Sequence, residues 1–227
     1  MRFEAVAFDL DGTLYPASRL NFLALPAMLG KARSLLAFNG ARRELRAIAL
    51  AQGGLAAADG PSFRELEARI TARRLGLDGS ASVAEIAAMI DRDFYRGVEE
   101  LFSKLSLYRG VKEALDELSR GGLRLALLSD LPPWRKLELL GLEGRFEASL
   151  CSEDSGSLKP AAAPFRMLSS RLGLEPGRVL YVGNSRRYDV AGAKAAGMSA
   201  ALVSRRPSAE ADLSFFDWRR LVEYALA

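Results

Sequence analysis

The chain has 227 residues, 49% hydrophobic and 26% charged, which suits a globular protein with one large domain or a core carrying a smaller one, and excludes a disordered or collagen-like chain. Its formal charge is only +4 and it contains no histidine, so Ser-His-Asp triads, Cys-His dyads, phosphohistidine chemistry and most zinc sites are closed to it. Cys151 is the single cysteine, which excludes an intrachain disulfide. Asp9 and Asp11 interrupt the apolar N-terminal run, and no charge-free stretch is long enough to span a bilayer. A cytoplasmic protein with no membrane partner is therefore expected.

In chain order, residues 3–10 form an apolar run that closes on an Asp/Gly cluster and predicts a buried strand followed by a loop. From residue 20 to 103 the spacing turns helical, with Leu45, Ile48 and Ala49, and later Val83, Ile86, Ala87 and Ile90, on apolar faces. Breaks at Gly53-Gly54, Gly60-Pro61 and Asp78-Gly79-Ser80 divide this stretch into roughly four helices. Past Gly110 the pattern alternates: helix 111–120, strand 123–128, helix 134–140, strand 148–151, helix 164–172, strand 179–182, helix 189–196 and strand 200–203. Alternation of this kind predicts an α/β fold, a parallel sheet with helices on both faces. Phe215, Phe216, Trp218, Leu221, Val222 and Leu226 predict a closing helix packed on the core, over about 215–226.

In open α/β sheets ligands gather outside the carboxyl ends of the strands. Four loops, 9–13, 129–132, 152–160 and 183–189, carry polar groups directly after apolar strands. The first holds the run Phe8-Asp9-Leu10-Asp11-Gly12-Thr13-Leu14. Carboxylates spaced i and i+2 at a strand end can take different roles: one attacks phosphorus to form an acyl phosphate, the other protonates the leaving oxygen and then activates water. Gly12 permits close backbone approach to a phosphate, and Thr13 supplies a hydroxyl. An isolated DxD is more often a solvated acidic turn; the full run after a buried strand favours chemistry.

With these residues in place, the sequence resembles the haloacid dehalogenase-like hydrolase superfamily. Its first motif, DxDGT, is matched by Asp9, Asp11, Gly12 and Thr13. A strand-end hydroxyl, a downstream lysine and an acidic pair look matched by Ser129, Lys159 and the 183–189 loop with Asn184 and Asp189. The resemblance spans nearly the whole chain. It implies a Rossmann-like core, residues 1–17 and 105–227, with an α-helical cap, residues 18–104, inserted between the first and second motifs. It further implies a magnesium-dependent phosphatase acting on a small-molecule phosphate ester through an aspartyl phosphate. Asp9 would be the nucleophile and Asp11 the general acid-base. Ser129 and nearby backbone N–H groups would hold phosphate oxygens, and Lys159 would offset the repulsion between the ester and Asp9. Gly12, Thr13 and Asp130 complete the substrate-binding set. Asp9, the Asp11 carbonyl, Asn184 and Asp189 would hold Mg2+, a hard cation that favours oxygen ligands.

Two positions depart from the family pattern. Asn184 stands where an Asp is common, which predicts a weaker grip on magnesium. Asp130 stands where many relatives carry Asn; the preferred expectation is that its side chain points away and only its backbone N–H serves the site. Asp11 argues against the dehalogenase branch, and Lys31 lacks the pattern expected of a phosphonate-cleaving lysine. A sugar-phosphate phosphomutase and a non-catalytic phosphate-binding protein remain as alternatives. The basic segment Lys31, Arg33, Arg42, Arg43 and Arg46 reads as a solvated helix face, with no nucleic-acid partner expected. The choice among phosphoglycolate, nucleotides and sugar phosphates stays open, as does the oligomeric state.

Overall fold

Strand β1 (Ala5–Phe8) lies at the centre of a six-stranded sheet of order β3-β2-β1-β4-β5-β6 in the computed structural model, which describes residues 2–54, 56–77, 79 and 82–227. Its neighbours are β2 (Arg124–Ser129), β3 (Ala148–Cys151), β4 (Val179–Gly183), β5 (Ser199–Val203) and β6 (Leu213–Phe215). Every pairing is parallel. All carboxyl ends therefore open on one edge, and the four polar loops converge there.

Alternation along β1 sorts the two faces of the sheet. Val6 and Phe8 enter a cluster with Leu127, Val182, Leu115 and Trp218, against α5 (Val111–Arg120) and α9 (Trp218–Leu226). Ala5 and Ala7 face the other way, toward Phe165, Leu168 and Tyr181, under α7 (Ala162–Leu172) and α8 (Ala191–Ala195). The small alanines leave room for two rings, and Phe165 meets Tyr181 edge-on with centroids 4.9 Å apart. Between β2 and β3 runs the short helix α6 (Trp134–Leu139).

Between β1 and α5 the described residues hold no strand. They form α1 (Ala17–Leu29), α2 (Ala32–Ala51), α3 (Gly60–Leu75) and α4 (Val83–Ile90), followed by tighter helical turns over Asp91–Tyr95 and Arg96–Lys104. Asp59 caps α3 by accepting the Ser62 N–H at 2.8 Å, and Ser82 with Glu85 forms a capping box on α4. The predicted break at Asp78 and Ser80 lies outside the described residues. One apolar cluster, with Phe38 stacked on Phe94, ties α2, α3 and α4 together. A second joins Ala41, Leu45, Phe63 and Ile70 to Leu158 and Ala161 of the sheet layer. Ala56 and Ala57 also donate their N–H groups to the Gly156 carbonyl, at 3.1 and 2.9 Å. The helical segment thus packs directly on the loop that carries Lys159.

One predicted element divides differently. Phe215, the expected start of the closing helix, is instead the last residue of β6, which pairs with β5 at Ala201↔Leu213 and Val203↔Phe215. Asp217 then accepts the Arg219 N–H and starts α9 at Trp218. The apolar run of Phe215 and Phe216 carries no periodicity that separates a short buried strand from a helix turn.

Phe8 is fully buried, with its ring 6.3 Å from Trp218 and 6.2 Å from Phe146. Phe8→Ala is expected to cost about 3–5 kcal/mol, read as a lower midpoint in urea with an unchanged slope.

Candidate active site

Asp9 follows the last residue of β1 and is still in register, its N–H donating to the Val182 carbonyl at 2.9 Å. Its side chain is buried. Oδ2 accepts from Thr13 Oγ1 at 2.6 Å and Oδ1 from Lys159 Nζ at 2.7 Å. The same ammonium donates to Asp189 Oδ1 at 2.8 Å and to Tyr181 Oη at 3.1 Å, and Tyr181 passes a hydrogen bond to the Leu128 carbonyl. Asp189 is locked from behind, Oδ2 accepting the N–H groups of Asn184 and Ser185 at 3.2 and 2.9 Å. A Cβ on Gly183 would lie 2.3 Å from Asp189 Cβ, so this approach requires glycine.

Burial pushes the Asp9 carboxyl up to about 7, with Lys159 pulling it down and Asp189 and Asp11 raising it further. Burial disfavours the charged Lys159, but Asp189 and Asp9 outweigh it and hold the ammonium well above its ordinary range. Asp11 goes the opposite way to Asp9. Burial raises it, yet Lys136, with hydrogen bonds from Tyr15 and Lys136, holds it below the usual carboxylate value.

Asp9, Asp11, Asp130, Lys159, Asn184 and Asp189 share a cavity of about 240 Å3. Gly12 has φ +88°, and a Cβ there would meet Asn184 Nδ2 at 2.2 Å, so glycine brings the first and fourth loops into contact. Thr13 and Ser129 lie behind the cavity rather than in its lining. Thr13 spends its hydroxyl on Asp9, and Ser129 Oγ donates to Asp11 Oδ2 and accepts the Leu131 N–H, both at 3.3 Å. Cys151 is free and buried.

The donors around Asp9 suit a hard divalent cation. The carboxylates of Asp9, Asp11, Asp130 and Asp189 outnumber their paired cations Lys136, Lys159 and Arg46. Among the described residues no three Asp, Glu, His or Cys side chains converge on one metal position. The Asn184 amide oxygen and a backbone carbonyl would have to complete such a set.

The structure corrects two expectations. Asp130 does not turn its side chain away: Oδ2 accepts from Arg46 at 2.7 Å and Oδ1 from the Lys159 N–H at 3.2 Å. Arg46, Lys159 and Arg42 hold its carboxyl below the ordinary value despite burial. Nor is the basic segment a uniformly solvated face. Arg33 and Arg43 are exposed, but Arg42 is buried and Arg46 is tucked against the site. Arg46 donates to the Lys159 carbonyl at 2.8 Å and stacks 4.6 Å from the Tyr188 ring centroid. Arg42 shares the stripe of Leu45 and Ala49, a spacing of three and seven that places it on the apolar side of α2. That spacing was the available signal.

Arg42 joins the helical segment to the sheet layer. Its Nη1 donates to Glu67 Oε1 at 2.8 Å and Glu153 Oε1 at 2.6 Å, and its Nη2 to the Asp130 carbonyl at 2.6 Å. The Tyr95 hydroxyl lies 2.8 Å from Glu67 Oε2 and 2.9 Å from Glu153 Oε1. Burial pushes the Glu67 carboxyl up to about 7, with Arg42 opposing and Glu153 reinforcing the shift.

The sequence model of the family described as haloacid dehalogenase-like hydrolase matches residues 3–197. A ribulose-1,5-bisphosphate 5-phosphatase of Halopiger xanaduensis is 31% identical over 224 residues, 92% of this chain and 87% of that one. A HAD phosphatase from Thermococcus onnurineus superposes with TM-score 0.64 at 27% identity, covering 98% of this chain and 97% of the other. An L-2-haloacid dehalogenase from Xanthobacter autotrophicus superposes with TM-score 0.60 at 26% identity, covering 99% and 84%.

The Glu67 shift has a sign that can be measured. A carboxyl raised in the folded state contributes stability that is fully present below its unfolded value of 4.5 and is lost as pH rises through about 7. Glu67→Gln is expected to flatten that part of the fall in melting temperature between acidic and mildly alkaline pH. A slope identical to wild type would contradict the assignment.

Proposed function

The chain belongs to the haloacid dehalogenase-like hydrolases, and from that premise we propose that it is a magnesium-dependent phosphatase of a small phosphorylated metabolite, acting through an aspartyl phosphate on Asp9. The observation that carries this reading is the pairing of Asp9 with Lys159 at 2.7 Å, beside Asp11 on the same cavity. Residues 1–17 and 105–227 serve as the catalytic core and 18–104 as the cap. The phosphatase relative from Halopiger xanaduensis supports the class of ester. Asp11, which a dehalogenase does not need, favours it over the dehalogenase likeness. We place the protein in the cytoplasm; no helix among the described residues is long and apolar enough to cross a membrane.

In the first step an Asp9 oxygen attacks phosphorus, the bond to the leaving oxygen breaks, and Asp11 supplies the proton that oxygen needs. Asp11 is held ionised before substrate binds; an anionic ester arriving beside it raises its proton affinity, so Asp11 takes up a proton from solvent as the ester binds and passes that proton to the leaving oxygen. Lys159 keeps its charge throughout and offsets the repulsion between Asp9 and the ester. In the second step Asp11 takes a proton from water, which attacks the phosphorus of the acyl phosphate and releases Asp9. Loop N–H groups after β1 and β2 and the Ser129 hydroxyl bind the phosphate oxygens, for which Ser129 must exchange its bond to Asp11. Asp9, the Asp11 carbonyl, Asn184 and Asp189 would hold magnesium, whose charge would favour the ionised Asp9 and offset charge on the transferring group. The small cavity, roofed by Arg42 and Arg46, suits a metabolite rather than a polymer.

The test is phosphate release from p-nitrophenyl phosphate and a panel of phosphorylated metabolites with magnesium present. Asp9→Asn should lose about 1,000-fold or more, and chelation of magnesium should abolish turnover reversibly. Wild-type inactivity across the panel, or full activity in Asp9→Asn, would sink the reading; an isomerised phosphate ester in place of inorganic phosphate would identify a mutase. Asn184→Asp adds a charged ligand and should lower the magnesium concentration needed for half-maximal rate. An unchanged or higher requirement would show that Asn184 does not limit metal affinity.

A further inference from the structure

Lys136 lies on a six-residue helix near the surface, where a lysine side chain ordinarily reaches water, yet it is only 3% exposed. Its Nζ donates to Asp11 Oδ2 at 3.1 Å and Oδ1 at 3.3 Å and sits 5.2 Å from the Phe102 ring centroid. An ammonium withdrawn from water is strongly unfavourable unless an opposite charge meets it. Asp11 is the carboxylate that does so.

The other donors to Asp11 share one feature. Tyr15 bonds Oδ1 and Ser129 bonds Oδ2, and both are fully buried. The carboxylate is therefore gripped at each oxygen from the protein side, while its side chain keeps 29% exposure and lines the cavity. Ser129 is at 3.3 Å, and on the proposed mechanism it is drawn away by the phosphate. Lys136 is the group that touches both oxygens and persists through that exchange. It also supplies a full charge, which a hydroxyl cannot.

We propose that Lys136 is a positioning residue, which fixes the Asp11 carboxylate so that it meets the leaving oxygen of an ester whose departure needs a proton. This rests on the acid-base role given to Asp11 above. As the bond between phosphorus and the leaving oxygen breaks, its electron pair stays on that oxygen. The proton comes from Asp11, and Lys136 keeps all of its own protons. Leaving groups that are stable as anions do not call on Asp11, and so do not call on Lys136.

The experiment compares kcat/KM for p-nitrophenyl phosphate, whose phenolate departs unaided, with that for the best alkyl phosphate of the metabolite panel. This constant covers only the steps up to transfer onto Asp9, so hydrolysis of the acyl phosphate does not blur the comparison. Lys136→Met should lose about 100-fold on the alkyl ester, the scale of general acid catalysis, and less than about 5-fold on the aryl ester. Lys136→Arg should recover most of the alkyl activity. Equal losses on both esters, or no loss on the alkyl ester, would overturn the proposal and leave the phosphatase reading intact. Wild-type inactivity on both esters would remove that reading and the proposal together. Lys136→Gln, which keeps a donor without the charge, carries the same comparison if the Met variant melts early.

Discussion

One buried ammonium organises the molecule. Lys159, on the loop after β3, is held by Asp9 just past the end of β1 and Asp189 from the loop after β4, with the Tyr181 hydroxyl completing its contacts. None of these groups tolerates burial alone, because a charge without a partner in a low-dielectric interior is costly. The three loops close on one another through these contacts. The same contact that satisfies Lys159 places the Asp9 carboxylate at the mouth of the sheet, beside Asp11 and Asp189.

The helical segment is bound to this arrangement through the same loop. Leu158 and Ala161 flank Lys159 and pack into the apolar cluster of α2 and α3. Arg46 reaches the Lys159 carbonyl, and Arg42 is clamped between Glu67 of the helical layer and Glu153 of the sheet layer. Movement of the helices relative to the sheet would break charged contacts that are partly or wholly withdrawn from water. Any opening of the cavity is thus coupled to rearrangement at Asp130 and Glu153.

Asp130 illustrates how a departure from a family pattern is resolved by its neighbours. An additional carboxylate on the cavity wall is unfavourable beside a phosphate, but here the guanidinium of Arg46 and the Lys159 N–H occupy its oxygens. Its charge is turned into a bridge between the second loop and α2. Lys136 and Asp11 form a similar matched pair.

Much of this was legible in the order of residues alone. Apolar runs ending in Asp9, Ser129 and Gly183 are local patterns of period and composition, and they pointed to the parallel sheet, the helical segment after the first loop and four polar loops at the strand ends; singling out Lys159, Asn184 and Asp189 within those loops rested on the resemblance to the family. Short elements were not legible in the same way: three residues of β6 have too few repeats to declare a period. Charged side chains that serve as bridges were hidden for a different reason. A lysine or arginine looks solvated in sequence, and whether Lys136, Arg42 and Arg46 are buried depends on which carboxylate from a distant segment meets them. Such pairings arise only when the chain is folded, because the energy of a buried charge belongs to the pair and not to either residue.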